Sequence, residues 1–364
     1  MRSSVELPFY LKCAQIIIGL VAFFYILYIG HDIIVPLIFS TILAILLNPV
    51  VNFLSRKINR VISIFLAIIF ALLIIAGLFY FIGSQMAMFS ESFPLLKQKF
   101  NGYFADIVSW VSHRFNVSTP KIKAWIAERK SQGLEDGSAV IGQTLISVTG
   151  AMVVVLLVPV YIFLILFYKP LLLDFIAMCF SSSRHETVKE VLQETRRLIQ
   201  SYLVGLLLEM AIVATLNSVG LLIIGVNYAI LLGIIGAILN LIPYIGGVVA
   251  IALPMIMALT TQSLGAAVAV LILYLAVQLV DNNFLVPKIV ASKVKINALI
   301  SIIVVLIGGA IWGVGGMFLS IPLTAIIKVI CDRVEPLKPL GFLLGDTMPE
   351  IGKNILSFRK LTSS

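Results

Sequence analysis

Between Ser201 and Pro287 the chain runs for 87 residues without a lysine, arginine or histidine. Only two charged side chains occur there, Glu209 and Asp281. Soluble domains carry about one charged residue in four, so a stretch this long and this poor in charge belongs in a bilayer. The whole chain agrees, with 60% hydrophobic and 12% charged residues among 364 and a mean hydropathy of +1.11. The formal net charge of +9 does not point to nucleic acid. Arg56, Lys57, Arg60, Arg196, Arg197, Lys288, Lys293 and Lys295 fall in short segments between apolar runs, which is how topology-setting charge is distributed.

Inside the uncharged stretch stands NLIPYIGG, Asn240 to Gly247. Proline and paired glycines break helices and expose backbone polar groups. In hydrocarbon such backbone is tolerated only where it faces protein or a water-filled cavity. The flanking arms, Tyr228–Leu239 and Val248–Leu259, hold about 12 residues each, or about 18 Å, against a core of about 30 Å. Neither arm crosses, so together they fit a re-entrant hairpin behind a full span, Tyr202–Ile224. The pattern repeats. A span over Leu264–Leu279 ends in QLVDNNFLVP, Gln278 to Pro287, and a basic loop follows. Next come arms Ala298–Ala310 and Met317–Val329 around the break IWGVGG, Ile311 to Gly316. The second arms resemble each other, YIGGVVAIALPM against WGVGGMFLSIPL, each with paired glycine and a later proline, Pro254 or Pro322. Charge placement sends the two hairpins in from opposite sides. Span plus hairpin in opposite orientation is an inverted-topology repeat, an arrangement found in many secondary transporters.

Four further runs read as spans: Cys13–Ile29, Ile33–Leu54, Val61–Ile82 and Leu145–Tyr168. The first is long for a signal peptide and lacks a cleavage pattern, so it is expected to be retained. The basic turn at Arg56, Lys57 and Arg60 puts the N-terminus in the cytoplasm. The fold expected is an all-α polytopic membrane protein, with N-terminal scaffold spans followed by the inverted repeat. Its divisions are scaffold spans over residues 1–83, a polar extracytoplasmic insert of amphipathic helices over 84–142, and a span with cytoplasmic connector over 143–200. Span-plus-hairpin units cover 201–262 and 263–330, and a cytoplasmic tail covers 331–364. In the connector, Glu186, Glu190 and Glu194 place like charges one helical turn apart.

Asp281 is the strongest candidate for chemistry. An acid inside a span is costly and normally faces a cavity or a partner. Gln278 and Asn282 beside it offer oxygens suited to a hard cation, and the carboxyl can also carry a proton. Glu209 is expected as a second carboxylate on the same pathway. The plainer readings are a helix-capping aspartate at the membrane boundary and a snorkelling glutamate. For a solute, the first tip offers Asn240, Pro243, Tyr244, Gly246 and Gly247, and the second offers Gly313, Gly315 and Gly316. Packing glycines are the plainer alternative there. Cys13, Cys179 and Cys331 have no metal-ligand spacing, and His31, His113 and His185 lie outside the spans. No catalytic residue, metal or cofactor is expected, apart from H+ or Na+ as coupling ion. An intramembrane protease is disfavoured because no Gly-x-Gly-Asp signature is present.

With NLIPYIGG, DNNFLVP and GGAIWGVGGMFLSIPL in the right order, the chain resembles the AI-2E family of bacterial permeases, named for export of autoinducer-2. The resemblance covers nearly the whole chain. It implies a transporter of the bacterial inner membrane, surrounded by lipid and assembled as a homo-oligomer such as a pentamer. It also implies elevator-like movement of the hairpin domain and a small polar solute as cargo. Other members are linked to sodium–proton exchange, so the substrate does not carry over. One departure stands out: the family often has Gln after Tyr-x-x-Gly, whereas Tyr202 and Gly205 are followed by Leu206. A sodium–proton antiporter, a passive channel and a non-transporting envelope scaffold are the rival readings.

Overall fold

A computed structural model describes residues 8–115, 120, 156–242, 246–290 and 296–346. They are helical almost throughout, and their only β pairing is an isolated bridge between Ile296 and Gly345. By length and composition five of the described helices could cross a bilayer, six if one bent pair counts as a span; one of the five, Ala298–Arg333, is broken at Trp312 and Gly313. The protein is therefore an all-α polytopic membrane protein.

In chain order the helices are α1 (Phe9–Ile29), α2 (His31–Leu54), α3 (Arg60–Phe115), α4 (Leu156–Phe167) and α5 (Lys169–Met178). The bend between α4 and α5 is 64°. Then follow α6 (His185–Ile224), α7 (Ala229–Asn240), α8 (Gly246–Thr261) and α9 (Leu264–Val280). The last of these continues as a π-helix over Asp281–Val290. Finally come α10 (Ala298–Arg333) and α11 (Lys338–Leu344).

Two helices run past the boundaries that hydropathy suggests. The third span and the start of the polar insert form one helix of 56 residues, with no break at residue 83. The connector and the next span likewise form one helix of 40 residues across residue 200. Hydropathy marks where lipid ends, whereas backbone hydrogen bonds continue wherever no breaker interrupts them. Most of the insert beyond Phe115, the tip residues Pro243 to Ile245, the basic loop 291–295 and the tail from residue 347 lie outside the described residues.

The chain forms two compact units, one of Ile29–Leu172 with Leu206–Val286, the other of Met1–Tyr28, Leu173–Gly205 and Pro287–Ser364. In the first, α2, α3 and α4 pack through Ala44, Val51, Ile64, Ala67, Ile162 and Leu166. Pro36 lies within α2, and the buried Ser40 hydroxyl donates to the Pro36 carbonyl at 2.6 Å. Arg60 donates to the Leu166 carbonyl at 3.0 Å, satisfying one of the orphan acceptors that end α4. A second core joins the later elements through Leu221, Leu232, Ala250, Met257, Ala267, Val270 and Tyr274. Large apolar side chains such as Phe70, Leu73, Phe79 and Ile223 face outward, as lipid-facing positions do.

In the second unit, α10 is folded back on itself. Its dihedrals leave the helical region at Trp312 and at Gly313, where φ is 60° and ψ is −144°, a conformation glycine adopts freely. This falls within the break expected at Ile311–Gly316. A Cβ on Gly308 would lie 2.5 Å from the Gly316 carbonyl oxygen, and one on Gly309 2.6 Å from Met317 Cε. Residues eight apart touch, so α10 is a helical hairpin with both arms in contact. The Trp312 indole donates to the Leu27 carbonyl at 2.9 Å, in the last turn of α1. Arg333, at the end of α10, forks across Glu190 and Glu194 at 2.5 and 3.0 Å. The like charges that stand one turn apart in the connector thus share one guanidinium. Asn297 caps α10 through Ile300 N at 2.9 Å and donates to the carbonyls of Leu343 and Gly345.

Candidate functional site

Three helices of the first unit each bring one face to a common point. On α6 the residues are Glu209, Val213 and Asn217, spaced by four; on α9 they are Tyr274, Val277 and Gln278, followed by Asp281 at the start of the π-helix. Both spacings keep side chains on one helical face. The third face belongs to α7, whose Gly233, Gly236 and Asn240 are spaced by three and four. Glycine is what permits the approach. A Cβ on Gly233 would lie 2.6 Å from the backbone nitrogen of Ser218, and one on Gly236 would lie 3.0 Å from the Tyr274 hydroxyl. Small residues of this kind let helices close on one another in membranes, where polar atoms then meet across the gap.

Asp281 is 2% exposed and Glu209 5%. Asn240, the last residue of α7, donates from Nδ2 to Asp281 Oδ2 at 2.9 Å. The Glu209 carboxyl lies beside that of Asp281. No lysine, arginine or histidine occurs between residues 201 and 287 to neutralise the pair. Two carboxylates in contact do not both stay charged without a proton or a cation between them. Gln278 donates to Asn282 Oδ1 at 3.2 Å, while its own carbonyl oxygen faces Gly247, 2.8 Å from where a Cβ would sit.

A small cleft opens among these groups. It is lined by Val213, Asn217, Gly236, Asn240, Gly247, Ala250, Tyr274, Val277, Gln278 and Asp281 and has room for about one water-sized sphere. Among the described residues, Asn217 Oδ1, Tyr274 Oη and Asp281 Oδ1 have no hydrogen-bond partner. Each such orphan costs about 1–3 kcal/mol when buried. The site can therefore hold a proton, a water or a desolvated ion, and in this conformation nothing larger.

The structure brings together Glu209, Asn240, Gly247, Gln278 and Asp281 from the sequence candidates. Asn282 is exposed, reaching the group only through Gln278. Gly246 packs against the Leu239 carbonyl and is a close-approach position of the hairpin. Pro243 and Tyr244 fall outside the described residues. Gly313, Gly315 and Gly316 belong to the other unit, where Gly316 is buried against the Gly308 backbone. Asn217 and Tyr274 were not among the sequence candidates. The signal was available, because they lie eight residues after Glu209 and seven before Asp281, on the same two faces.

Residues 17–335 match the family described as AI-2E family transporter. Curated relatives carry names of transport proteins and permeases. A transport protein of Haemophilus influenzae is 27% identical over 87% of this chain and 91% of its own length. YhhT of Escherichia coli K12, also named a transport protein, is 26% identical over 93% of this chain and 95% of its own. The permease PerM of the same organism is 28% identical over 88% and 92%. The family is one of transport proteins rather than enzymes, and with its match covering most of the chain this protein belongs to the AI-2E family of membrane transporters.

Proposed function

We propose that the protein is a secondary active transporter of the bacterial inner membrane. It exports a small polar solute of the autoinducer-2 kind, coupled to a proton or sodium gradient. The observation that carries this reading is the carboxyl pair of Glu209 and Asp281, buried side by side in a stretch, residues 201–287, that holds no Lys, Arg or His. A group that expensive inside a bilayer is kept where a cation or proton is taken up and released. Asn240 ties the pair to the end of α7, so occupancy of the carboxyls and the position of the hairpin tip are mechanically linked.

In this reading the α7–α8 hairpin and the folded α10 are re-entrant and enter from opposite faces as an inverted repeat. The N- and C-termini are cytoplasmic, and copies of the chain assemble into a homo-oligomer such as a pentamer. Transport proceeds by elevator-like movement, and the solute is held at the tip of the first hairpin by Asn240, Tyr244 and Gly247. A second reading, sodium–proton exchange, is favoured by one observation: the cleft has room for about one water-sized sphere, too little for a solute.

Purified protein in liposomes tests both. Asp281→Asn keeps the volume and part of the hydrogen bonding but removes the charge. Solute exchange should persist in it while accumulation against a gradient is lost, with sodium and proton gradients imposed separately. If Asp281→Asn accumulates solute with unchanged ion dependence, the coupling role is refuted. Flux of ions without any solute favours the antiporter, uncoupled flux a channel, and no flux at all a scaffold.

A further inference from the structure

Three oxygens that line the cleft have no hydrogen-bond partner among the described residues, and each comes from a side chain that is 5% exposed or less: Asn217 Oδ1, Tyr274 Oη and Asp281 Oδ1. They are brought together by two helices, and Gly236 of α7 leaves space beside two of them. A Cβ there would lie 3.0 Å from Tyr274 Oη and 3.6 Å from the Asn217 amide nitrogen. A native interior satisfies nearly all its buried polar atoms. Three orphans around one cavity point to a missing partner.

We propose that this cleft binds one desolvated monovalent cation of sodium's size, held by Asp281 Oδ1, Asn217 Oδ1 and the Tyr274 hydroxyl oxygen. The assignment rests on reading the cluster as the coupling site, and it names the ligand and two residues that complete the cage. The donor set decides the chemistry. Amide and carboxylate oxygens offer only lone pairs, and the phenol can offer its own. All three are hard ligands, which suit an alkali or alkaline-earth ion rather than a thiophilic metal. An anion is excluded by the two carboxyls beside the cavity.

Ligand count and the cost of dehydration then separate the cations, since sodium and calcium are nearly equal in size. Calcium takes six to eight oxygens, and magnesium gives up its waters reluctantly. A cavity with room for about one water-sized sphere offers neither ion what it needs. Glu209 contacts Asp281 but is not among the residues lining the cleft, so it acts from behind as a positioning group. The rival occupant is an ordered water, which would donate to Asn217 and Asp281 and accept from Tyr274. Even with a proton on one carboxyl, water leaves the other's charge uncompensated in a stretch, residues 201–287, without a Lys, Arg or His. A cation does not.

The test is equilibrium binding of radiolabelled sodium to the full-length protein in detergent, with choline as the inert replacement, alongside melting curves in the same solutions. Wild type should bind sodium saturably and melt higher in its presence. Tyr274→Phe removes only the hydroxyl, and Asn217→Leu replaces the amide by a side chain of similar size. Each should weaken sodium binding by about tenfold or more. Neither should lower the melting temperature in choline, because each removes an orphan rather than a made hydrogen bond. A merely structural role predicts the reverse: loss of stability in choline and unchanged sodium affinity.

Saturable sodium binding that both variants retain at full affinity overturns the cage. Absence of saturable binding to wild type also overturns it and leaves an ordered water as the occupant. Proton-driven solute accumulation in sodium-free liposomes would leave the transport reading intact while the sodium assignment fell. Sodium binding without any solute flux would do the opposite.

Discussion

Gly308 and Gly247 both sit where a methyl group would meet a neighbour, yet the neighbours differ in kind. At Gly308 the obstacles include the backbone carbonyl of Gly316, 2.5 Å from a notional Cβ. At Gly247 the nearest atom is Gln278 Oε1 at 2.8 Å, the end of a side chain that can rotate away. Gly308→Ala should therefore destabilise the protein by about 1–3 kcal/mol, the usual range for overpacking. Gly247→Ala should melt close to wild type while disturbing ion or solute binding. Thermal unfolding in detergent reads the difference, and equal melting temperatures for the two variants would refute it. From sequence, Gly247 and Gly316 look alike, since both belong to a glycine pair at a helix break. What separates them is whether backbone or side chain lies across the gap, and that depends on tertiary packing. Asn217 and Tyr274 escaped notice for a related reason: an Asn or Tyr in a span is common, and only convergence of the helices turns them into a site.

Among the elements, the apolar runs gave the spanning helices α2, α9 and the first part of α3, because about 20 uncharged residues have few alternatives to a span. Both breaks were legible too, at Asn240–Gly247 and at Trp312–Gly313, from proline and glycine in otherwise unbroken apolar sequence. Helix ends were not. Hydropathy divides the connector carrying Glu186, Glu190 and Glu194 from the next span at residue 200, yet these residues stand in the first part of α6. Its acidic ladder is completed by Arg333, more than a hundred residues away, and no local pattern announces such a partner. All three side chains are 42–48% exposed. Each pair is therefore worth about 0.2–1 kcal/mol in low salt. Arg333→Ala should lower the melting temperature by an amount that shrinks as salt approaches 1 M, where the screening length is about 3 Å. A deficit that persists in high salt would mean that lost packing, not charge, is responsible.

For the whole molecule, the open choice is between hairpins that turn back and pairs of crossing helices. The arms of α7 and α8 measure about 18 and 24 Å at 1.5 Å per residue, short of the hydrocarbon thickness. The proposed inverted repeat predicts opposite exposure of two connections. In a background without native cysteines, a cysteine at Asn227 should react with an impermeant thiol reagent from outside intact cells. One at Ser292 should react only after the inner face is opened. Outside labelling at both positions would rule out the inverted arrangement.

The π-helix that begins at Asp281 is wound one residue wider per hydrogen-bonded ring than the α-helix before it. The chain also passes from one compact unit to the other inside that segment, between Val286 and Pro287. A helix wound in two ways along one axis behaves as a screw. Converting a π turn to an α turn rotates everything beyond it while the axis stays continuous. A change in winding at the aspartate would thus turn Asn282 and Asn283, the side chains that follow it, relative to the buried carboxyl.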